Sequence, residues 1–250
     1  MTVQPAAIAE EAARAAGAIL LERFGSERAL DRTKSSPTDL VSEADLLAEK
    51  AIRDVLAARA PDDAIMGEEG ADTAGTSGRR WIVDPLDGTV NFVFGIPQWA
   101  VSVACEGVAG VVFDPCRDEL FVAADGNATL NDAPLRASRR EDLASALVAT
   151  GFGYESSVRA GQAEVVARLL PLVRDIRRAG SAALDLAWTA AGRLDAFYER
   201  GVKPWDIAAG ELLCSAAGLE VRRLEPRDGL PFGLLVAPTA LVGPLVELVS

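Results

Sequence analysis

Apolar side chains recur at helical spacing in two stretches near the start of the chain. Residues 6–24 carry Ala, Ile, Leu or Phe every three or four positions, and Gly25 ends this pattern. A second amphipathic stretch follows Ser42, which stands three residues before Asp45, a spacing typical of a capped helix start. The pattern predicts two helices, one over 6–24 and one over 43–59.

Short apolar runs follow these helices and are separated by turn residues. A strand over 64–67 runs into a loop, and a buried strand over 81–84 stops at Pro85. Three further short strands are expected near 99–105, 108–113 and 119–123. We therefore expect two helices followed by a largely antiparallel sheet in this part of the chain.

From about residue 141 the pattern changes to an alternation of strands and helices, which is typical of an α/β unit. Residues 1–140 are thus expected to form an N-terminal α+β half, and residues 141–250 a C-terminal α/β half. No Gly/Ser-rich linker separates the halves, so we expect them to pack as one unit. The predicted strands lie at 145–150, 173–178, 194–199, 219–224 and 233–237, and the predicted helices near 158–173, 180–191, 206–217 and from about Thr239.

The chain is strongly acidic. Its 25 basic and 37 acidic residues give a formal net charge of −12. Such a surface repels nucleic acid phosphates and anionic membranes, so we expect neither as a partner. It would also repel a phosphorylated substrate unless cations reversed the sign locally, and this favours bound metal ions.

The sequence contains no histidine. Ser-His-Asp triads, Cys-His pairs and phosphohistidine intermediates are therefore excluded. The three cysteines are odd in number and lack CxxC spacing, which argues against disulfides and a zinc site and favours a reducing cytoplasm. The start of the chain lacks the pattern of a secretory signal, and no apolar stretch is long enough to span a bilayer. Carboxylates, hydroxyls, lysines and metal ions remain for the chemistry.

Two aspartates stand at the exit of the apolar strand in the segment WIVDPLDGTVNF. Asp84 and Asp87 are three residues apart, and Gly88 and Thr89 then begin a predicted helix whose free N–H groups suit a phosphate. Aspartates this close repel each other unless cations lie between them. Magnesium prefers oxygen ligands, and two such ions can activate a water and stabilise a leaving oxygen. Asp-Pro and Asp-Gly turns after a core strand are the alternative explanation.

Two other acidic positions have equally simple explanations when taken alone. Glu68 ends a predicted strand and fits a solvated acidic loop, whereas Asp206 begins a helix and fits an N-cap. Phosphatases of the haloacid dehalogenase type are a further alternative for this aspartate pair. They separate their two aspartates by one residue, and two residues separate Asp84 from Asp87, so that scheme fits the spacing poorly.

Several blocks together resemble the inositol monophosphatase family, and most closely its bacterial inositol-1-monophosphatase branch. The resemblance covers nearly the whole chain and implies a layered αβαβα sandwich, of α+β or α/β class, like that of fructose-1,6-bisphosphatase. It also implies a homodimer. The matching blocks are DLVSEAD (39–45), GEE (67–69), WIVDPLDGTVNFVFGIP (81–97), RRAGSAALDLAWTAAGRLDAFYE (177–199) and WDIAAGELLCSAAG (205–218).

The resemblance implies a magnesium site, most of whose ligands come from the N-terminal half. Glu68, Asp84 and the backbone carbonyl of Leu86 would hold a first Mg²⁺. Asp84, Asp87 and Asp206 would hold a second, weaker ion, and Glu68 would help a third through water. Two or three ions are therefore expected, with Mn²⁺ as a possible substitute.

The same resemblance implies roles for the residues around the metals. Thr89, paired with Asp45, would orient the attacking water, with Glu68 as a further catalytic residue, and hydrolysis would be direct, without a phosphoenzyme. The backbone N–H groups of Gly88 and Thr89 would hold the phosphate. The sugar-like ring would face Asp87, Gly180, Ser181, Ala182, Glu199 and Asp206.

The expected activity is magnesium-dependent hydrolysis of a small phosphorylated polyol, with myo-inositol 1-phosphate as the leading substrate, in a lithium-sensitive, cytoplasmic enzyme. Histidinol phosphate, a sugar bisphosphate or a nucleotide 3′-phosphate remain alternatives, because such enzymes share the metal motifs. A regulatory protein-binding role is a further alternative. The segment GNATLND and the residues before Trp205 depart from the family pattern, so the substrate is less constrained than the metal ligands.

Overall fold

A computed structural model of the chain describes residues 4–25 and 43–250. It begins with the two predicted helices, α1 (Pro5–Arg23) and α2 (Glu43–Arg59). Alanines dominate the buried stripe of α1, which allows the two helices to pack closely against one sheet. The predicted cap at Ser42 lies outside the described residues.

A seven-stranded sheet follows in sequential order. Its first two strands are parallel and the rest are antiparallel, which agrees with the expected character of this part. Helix α3 (Thr89–Val93) lies between the second and third strands. The strands are β1 (Ala64–Gly67), β2 (Arg80–Asp87), β3 (Ala100–Cys105), β4 (Ala109–Asp114), β5 (Glu119–Ala124), β6 (Asn127–Leu130) and β7 (Ala133–Pro134).

Strands β6 and β7 were not predicted from the sequence. The pairs Asp125-Gly126 and Asn131-Asp132 connect β5 to β6 and β6 to β7, and all four residues have positive φ. Two consecutive left-handed residues make the tight turn that matches the twist of a hairpin. The segment GNATLND therefore forms its second turn with an Asn-Asp pair.

The remaining elements build a second sheet with the strand order β11-β12-β10-β8-β9. The strands β8, β9 and β10 are parallel, whereas β12 pairs antiparallel with both β10 and β11. The elements are β8 (Leu147–Thr150), α4 (Ser156–Leu169), β9 (Asp175–Arg177), α5 (Ala182–Ala190), β10 (Ala196–Arg200), α6 (Pro204–Ala216), β11 (Glu220–Leu224), β12 (Gly233–Ala237) and α7 (Thr239–Val249).

Helix α4 is shorter than the predicted helix over 158–173. It ends at Leu169, and a single 3₁₀ turn over Leu170–Leu172 follows. Pro171 lies in this turn, and its missing N–H prevents the α-helical hydrogen bond from continuing.

The two sheets and the helices form five layers with three separate apolar cores. One core lies between α1, α2 and the first sheet, a second holds α5 and α6 between the two sheets, and a third lies between the second sheet and α4 with α7. This is the layered α+β arrangement that the sequence predicted. Among the described residues, none of the helices is long and apolar enough to cross a membrane.

The middle layer is held close to the first sheet by a glycine. A Cβ added at Gly110 of β4 would lie 2.8 Å from Cα and 2.9 Å from the carbonyl oxygen of Ala209 in α6. Both of these are backbone atoms, so no rotamer change relieves the overlap. The absence of a side chain at Gly110 therefore sets how closely α6 approaches β4.

We predict that Gly110→Ala lowers the free energy of unfolding by about 1–3 kcal/mol, the usual cost of overpacking a core. The backbone at Gly110 is not in the left-handed region, so the cost comes from packing alone. Denaturant unfolding measures it. Gly243→Ala is the matched control, because a Cβ at this exposed α7 position meets nothing within 4 Å. Equal stabilities of the two variants would contradict the prediction.

Candidate active site

A bulge in β2 brings Asp84 and Asp87 to the same side of the sheet. Residues three apart in a regular strand point to opposite faces. Asp84 pairs with Ser102 of β3, whereas Asp87 pairs with Ala100, so β2 has one residue more than its partner between these pairs. The extra residue restores the matching orientation of the two aspartates. Pro85, which has no N–H for the ladder, lies within this irregular stretch.

One pocket of about 450 Å³ collects most of the residues that were singled out from the sequence. They come from both halves of the chain: the end of β1, the exit of β2, the starts of α5 and α6, and β10. The predicted residues that line it are Glu68, Asp84, Leu86, Asp87, Gly88, Thr89, Gly180, Ala182, Glu199 and Asp206.

Asp45 lies behind this pocket. Its carboxylate is buried, and Oδ1 is 3.4 Å from Thr89 Oγ1. The same hydroxyl donates to the Leu86 carbonyl oxygen at 3.0 Å. The expected pairing of Thr89 with Asp45 is therefore present, and Thr89 also contacts the carbonyl that was predicted as a metal ligand.

Ser181 supports an aspartate and does not face the pocket, which differs from its expected role towards a ring. It is buried, and its hydroxyl donates to Asp87 Oδ2 at 2.6 Å. The backbone N–H of Ala183 donates to the same oxygen at 2.6 Å. Asp87 thus joins the exit of β2 to the first turn of α5, which links the two halves of the chain at the pocket.

Backbone N–H groups hold the two other aspartates. Leu86 N–H donates to Asp84 Oδ1 at 3.0 Å, and Lys203 N–H donates to Asp206 Oδ2 at 2.7 Å. Asp206 is therefore not the N-cap that its simpler explanation proposed, because α6 begins at Pro204 and Lys203 is the N-cap. As the third residue of the helix, Asp206 accepts from the N–H of the N-cap residue, and it also lines the pocket.

The gathered carboxyls raise one another's pKa. Burial raises the pKa of Asp84 well above its usual range, and Glu68, Asp87 and Asp206 add to this through their charges. Glu68 is exposed as a whole residue, but partial desolvation of its carboxyl, followed by the charges of Glu69, Asp206 and Asp45, raises its pKa to about 8.

The pKa values of Asp206 and Asp87 are raised as well. For Asp206 the causes are burial first and the charge of Asp87 second. For Asp87, desolvation outweighs the hydrogen bonds from Ser181 and Ala183. The pocket therefore carries an unfavourable concentration of negative charge that a bound cation would relieve.

The donor set suits a hard divalent cation, because it consists entirely of oxygen atoms. In the part of the chain that the structure describes, no three His, Cys, Asp or Glu side chains are already arranged to hold an ion. The carboxyls share the pocket while one oxygen of each aspartate is bound to a neighbouring donor. The chemistry of these oxygen donors therefore fits magnesium.

A charged residue that was not predicted holds the loop that carries Glu68. Glu49 of α2 is only 3% exposed. Its Oε2 accepts from the N–H of Glu69 at 2.7 Å, and its Oε1 accepts from the N–H of Gly70 at 2.9 Å. Arg53 donates to Oε1 at 2.7 Å. A Cβ at Gly67 or Gly70 would lie within 2.6 Å of Oε1, so the glycines on either side of Glu68 make room for this clamp.

The sequence contained a signal for this clamp. Glu49 follows Asp45 by one helical turn and lies on the stripe of α2 that also buries Ala48 and Ile52. An acidic side chain on a buried and mainly apolar stripe indicates a buried polar partner. Arg178, which was also not predicted, lines the pocket and opposes the rise in the pKa of Asp87 and Glu199.

Comparison with known proteins agrees with this geometry. The model of the inositol monophosphatase family matches residues 3–246. The chain belongs to the inositol monophosphatase family. It is 47% identical over 252 residues to the inositol-1-monophosphatase SuhB of Mycobacterium tuberculosis (strain ATCC 25618 / H37Rv), a match that covers 93% of this chain and 87% of the relative. The chain is therefore an enzyme, a phosphatase that resembles inositol-1-monophosphatases.

Two further relatives extend the comparison. The extragenic suppressor protein suhB from Bartonella henselae has a solved structure with a TM-score of 0.90 and 36% identity, covering 98% of this chain and 97% of its own. The Nus factor SuhB of Xylella fastidiosa (strain Temecula1 / ATCC 700964) is 44% identical over 214 residues, which are 83% of this chain and 78% of that relative. The family fold is thus shared across relatives whose names differ.

Glu49→Gln is expected to weaken the response of the phosphatase to magnesium. The amide keeps the size of the side chain but loses the charge that pairs with Arg53, so the loop bearing Glu68 is held less firmly. We expect the magnesium concentration needed for half of the thermal stabilisation to rise about tenfold, as for other residues that orient metal ligands.

The control for this variant is Asp54→Asn, which removes the exposed ion pair with Lys50 on the same helix. It should leave the magnesium response unchanged, since exposed pairs contribute little. An equal response of both variants would show that Glu49 does not support the site.

The metal-free protein should become less stable as pH rises from about 5 to about 8. Glu68 and Glu199 have pKa values of about 8 in the folded protein. Unfolded glutamate titrates near about 4.3, so the folded state binds more protons across this window and the free energy of unfolding falls with pH. Melting temperatures with a chelator and with magnesium would measure the effect. Magnesium should reduce the dependence of the melting temperature on pH. A metal-free melting temperature that rises with pH would refute the prediction.

Proposed function

We propose that this phosphatase hydrolyses inositol monophosphates, with myo-inositol 1-phosphate as its substrate and magnesium as its cofactor. The single observation that carries the proposal is the pocket in which oxygen donors of both halves meet. The name of the relative from M. tuberculosis, which is 47% identical, supports the substrate. The proposed magnesium ligands are Glu68, Asp84, Asp87, Asp206 and the Leu86 carbonyl, with two or three ions and Mn²⁺ as a substitute.

Magnesium bound by these residues would lower the pKa of the attacking water and stabilise the leaving oxygen. Thr89 Oγ1 is the chain's own group for orienting that water. Its contact with Asp45 Oδ1 gives the water proton a route to a buried carboxylate. Because the chain has no histidine, this hydroxyl-carboxylate pair takes the place that an imidazole occupies in many hydrolases.

The phosphate would be held by the backbone N–H groups of Gly88 and Thr89. Gly88 has a φ of 97°, and a Cβ there would lie 2.9 Å from the Gln98 carbonyl oxygen, so only glycine fits this turn. The following helix, α3, has only five residues, so individual N–H groups rather than a long helix dipole would bind the phosphate.

The ring hydroxyls would face the C-terminal half. Glu199 is the main acceptor in this proposal, and Asp87 and Asp206 accept further hydroxyls, since carboxylates accept hydrogen bonds well. Gly180 and Ala182 line the same side without a bulky side chain. Residues 1–140 and 141–250 would then act as two halves of one unit, with a homodimer, a cytoplasmic location and lithium inhibition as further parts of the proposal.

A panel of phosphate esters assayed with magnesium tests the substrate. Myo-inositol 1-phosphate should give the highest kcat/KM, and histidinol phosphate, sugar bisphosphates and nucleotide 3′-phosphates should react more slowly. Asp84→Asn should reduce kcat by at least about a hundredfold, because it weakens the site of both ions. A clear preference for another ester would replace the proposed substrate, and no hydrolysis of any ester would remove the proposed reaction.

A protein-binding role is a second candidate, because relatives that are 44% and 42% identical carry the name Nus factor SuhB. Affinity purification with wild type and with Asp84→Asn addresses it. Retention of the same transcription proteins by both would support a role that is independent of hydrolysis. If neither protein retains any transcription protein, the phosphatase activity would remain the sole proposed function.

A further inference from the structure

The carboxylate of Glu199 lies directly over the backbone of Gly151. Strands β8 and β10 are parallel neighbours, and Tyr198 is paired with Thr150, so the next residues of each strand lie side by side. A Cβ added at Gly151 would overlap Cδ and both carboxylate oxygens of Glu199. The Glu199 carboxylate can therefore occupy its present position only because residue 151 has no side chain.

The backbone itself does not require glycine at this position. The φ of Gly151 lies outside the left-handed region, so an alanine could adopt the same conformation. The residue is buried and lines the same pocket as Glu199. Space for the glutamate is the remaining physical reason for a glycine here.

Packing holds the Glu199 carboxylate more than hydrogen bonds do. Within residues 4–25 and 43–250, no side chain or backbone N–H donates a hydrogen bond to its oxygens. By contrast, Ser181 and Ala183 donate to Asp87, and Lys203 donates to Asp206. The Glu199 oxygens thus keep their full acceptor capacity for a ligand, and their location depends on the surface beneath them.

We propose that Gly151 is a specificity-determining position, which places the Glu199 carboxylate where it accepts hydrogen bonds from hydroxyls of the leaving group. This inference rests on the proposed function, in which Glu199 contacts the ring. In the proposed function, the N–H groups of Gly88 and Thr89, and not Gly151, would hold the phosphate. Gly151 acts through Glu199 and is a positioning residue.

Gly151→Ala tests the inference by separating recognition of the ring from recognition of the phosphate. The added methyl group displaces the carboxylate, and losing a hydrogen bond to a charged group should raise the KM for the best polyol phosphate roughly tenfold to a hundredfold. The competitive Ki of inorganic phosphate, which has no ring, should change less than about twofold. A similar loss for both ligands would overturn the inference.

A double-mutant cycle identifies the route of the effect. In a Glu199→Ala background, Gly151→Ala should raise KM no further, because the group that it displaces is already gone. Additive losses would overturn the inference. Gly243→Ala, at an exposed position with nothing within 4 Å, is the control for the glycine-to-alanine change.

The cycle also remains informative if Gly151→Ala alone fails to fold. Removal of the Glu199 carboxylate should then restore folding in the double variant, whereas failure to restore it would count against the proposed contact. If the wild type hydrolyses no polyol phosphate, the proposed function fails together with this inference. If it does, and phosphate binding changes as much as KM, only the inference fails.

Discussion

Mutual repulsion among the carboxyls is the constraint on which the architecture of this protein depends. Glu68, Asp84, Asp87 and Asp206 approach one another in one pocket although burial raises the pKa of all four and like charge raises it further for Glu68, Asp84 and Asp206. Rigid surroundings are needed to hold such groups together. The aspartates receive backbone N–H donors at a bulge and at two helix starts, and the Glu68 loop is bound by Glu49 from behind.

Sequence periodicity was sufficient for the larger elements. The two N-terminal helices and the change to strand-helix alternation were predicted, because burial of one face imposes a regular pattern on each element. The five layers were expected only from the resemblance to the inositol monophosphatase family. The short hairpin strands β6 and β7 were missed. Their pairing depends on left-handed turn residues, and Asn-Asp carries a weaker turn signal than Asn-Gly.

The sequence indicated which residues line the site but not how each side chain is oriented. Ten of the residues singled out from the sequence line one pocket, yet the orientation of Ser181 towards Asp87 was not expected. A strand bulge, such as the one between Asp84 and Asp87, cannot be read from alternation because it breaks the alternation. The burial of Glu49 has a signal on its helix, but the sequence did not indicate that this carboxylate accepts from the backbone N–H groups of Glu69 and Gly70, because backbone donors carry no side-chain signature.

The contact between Gly110 and Ala209 also bears on the geometry of the proposed magnesium site. Ala209 is one helical turn beyond Asp206 in α6, so the depth at which α6 rests on β4 also sets where this carboxylate meets those of the first sheet. Magnesium binds oxygen at about 2.0–2.1 Å and calcium at about 2.3–2.6 Å, a difference of only a few tenths of an ångström. In the proposed magnesium site, the thickness of this layer, which is fixed by a missing methyl group at Gly110, would therefore contribute to discrimination between ionic radii.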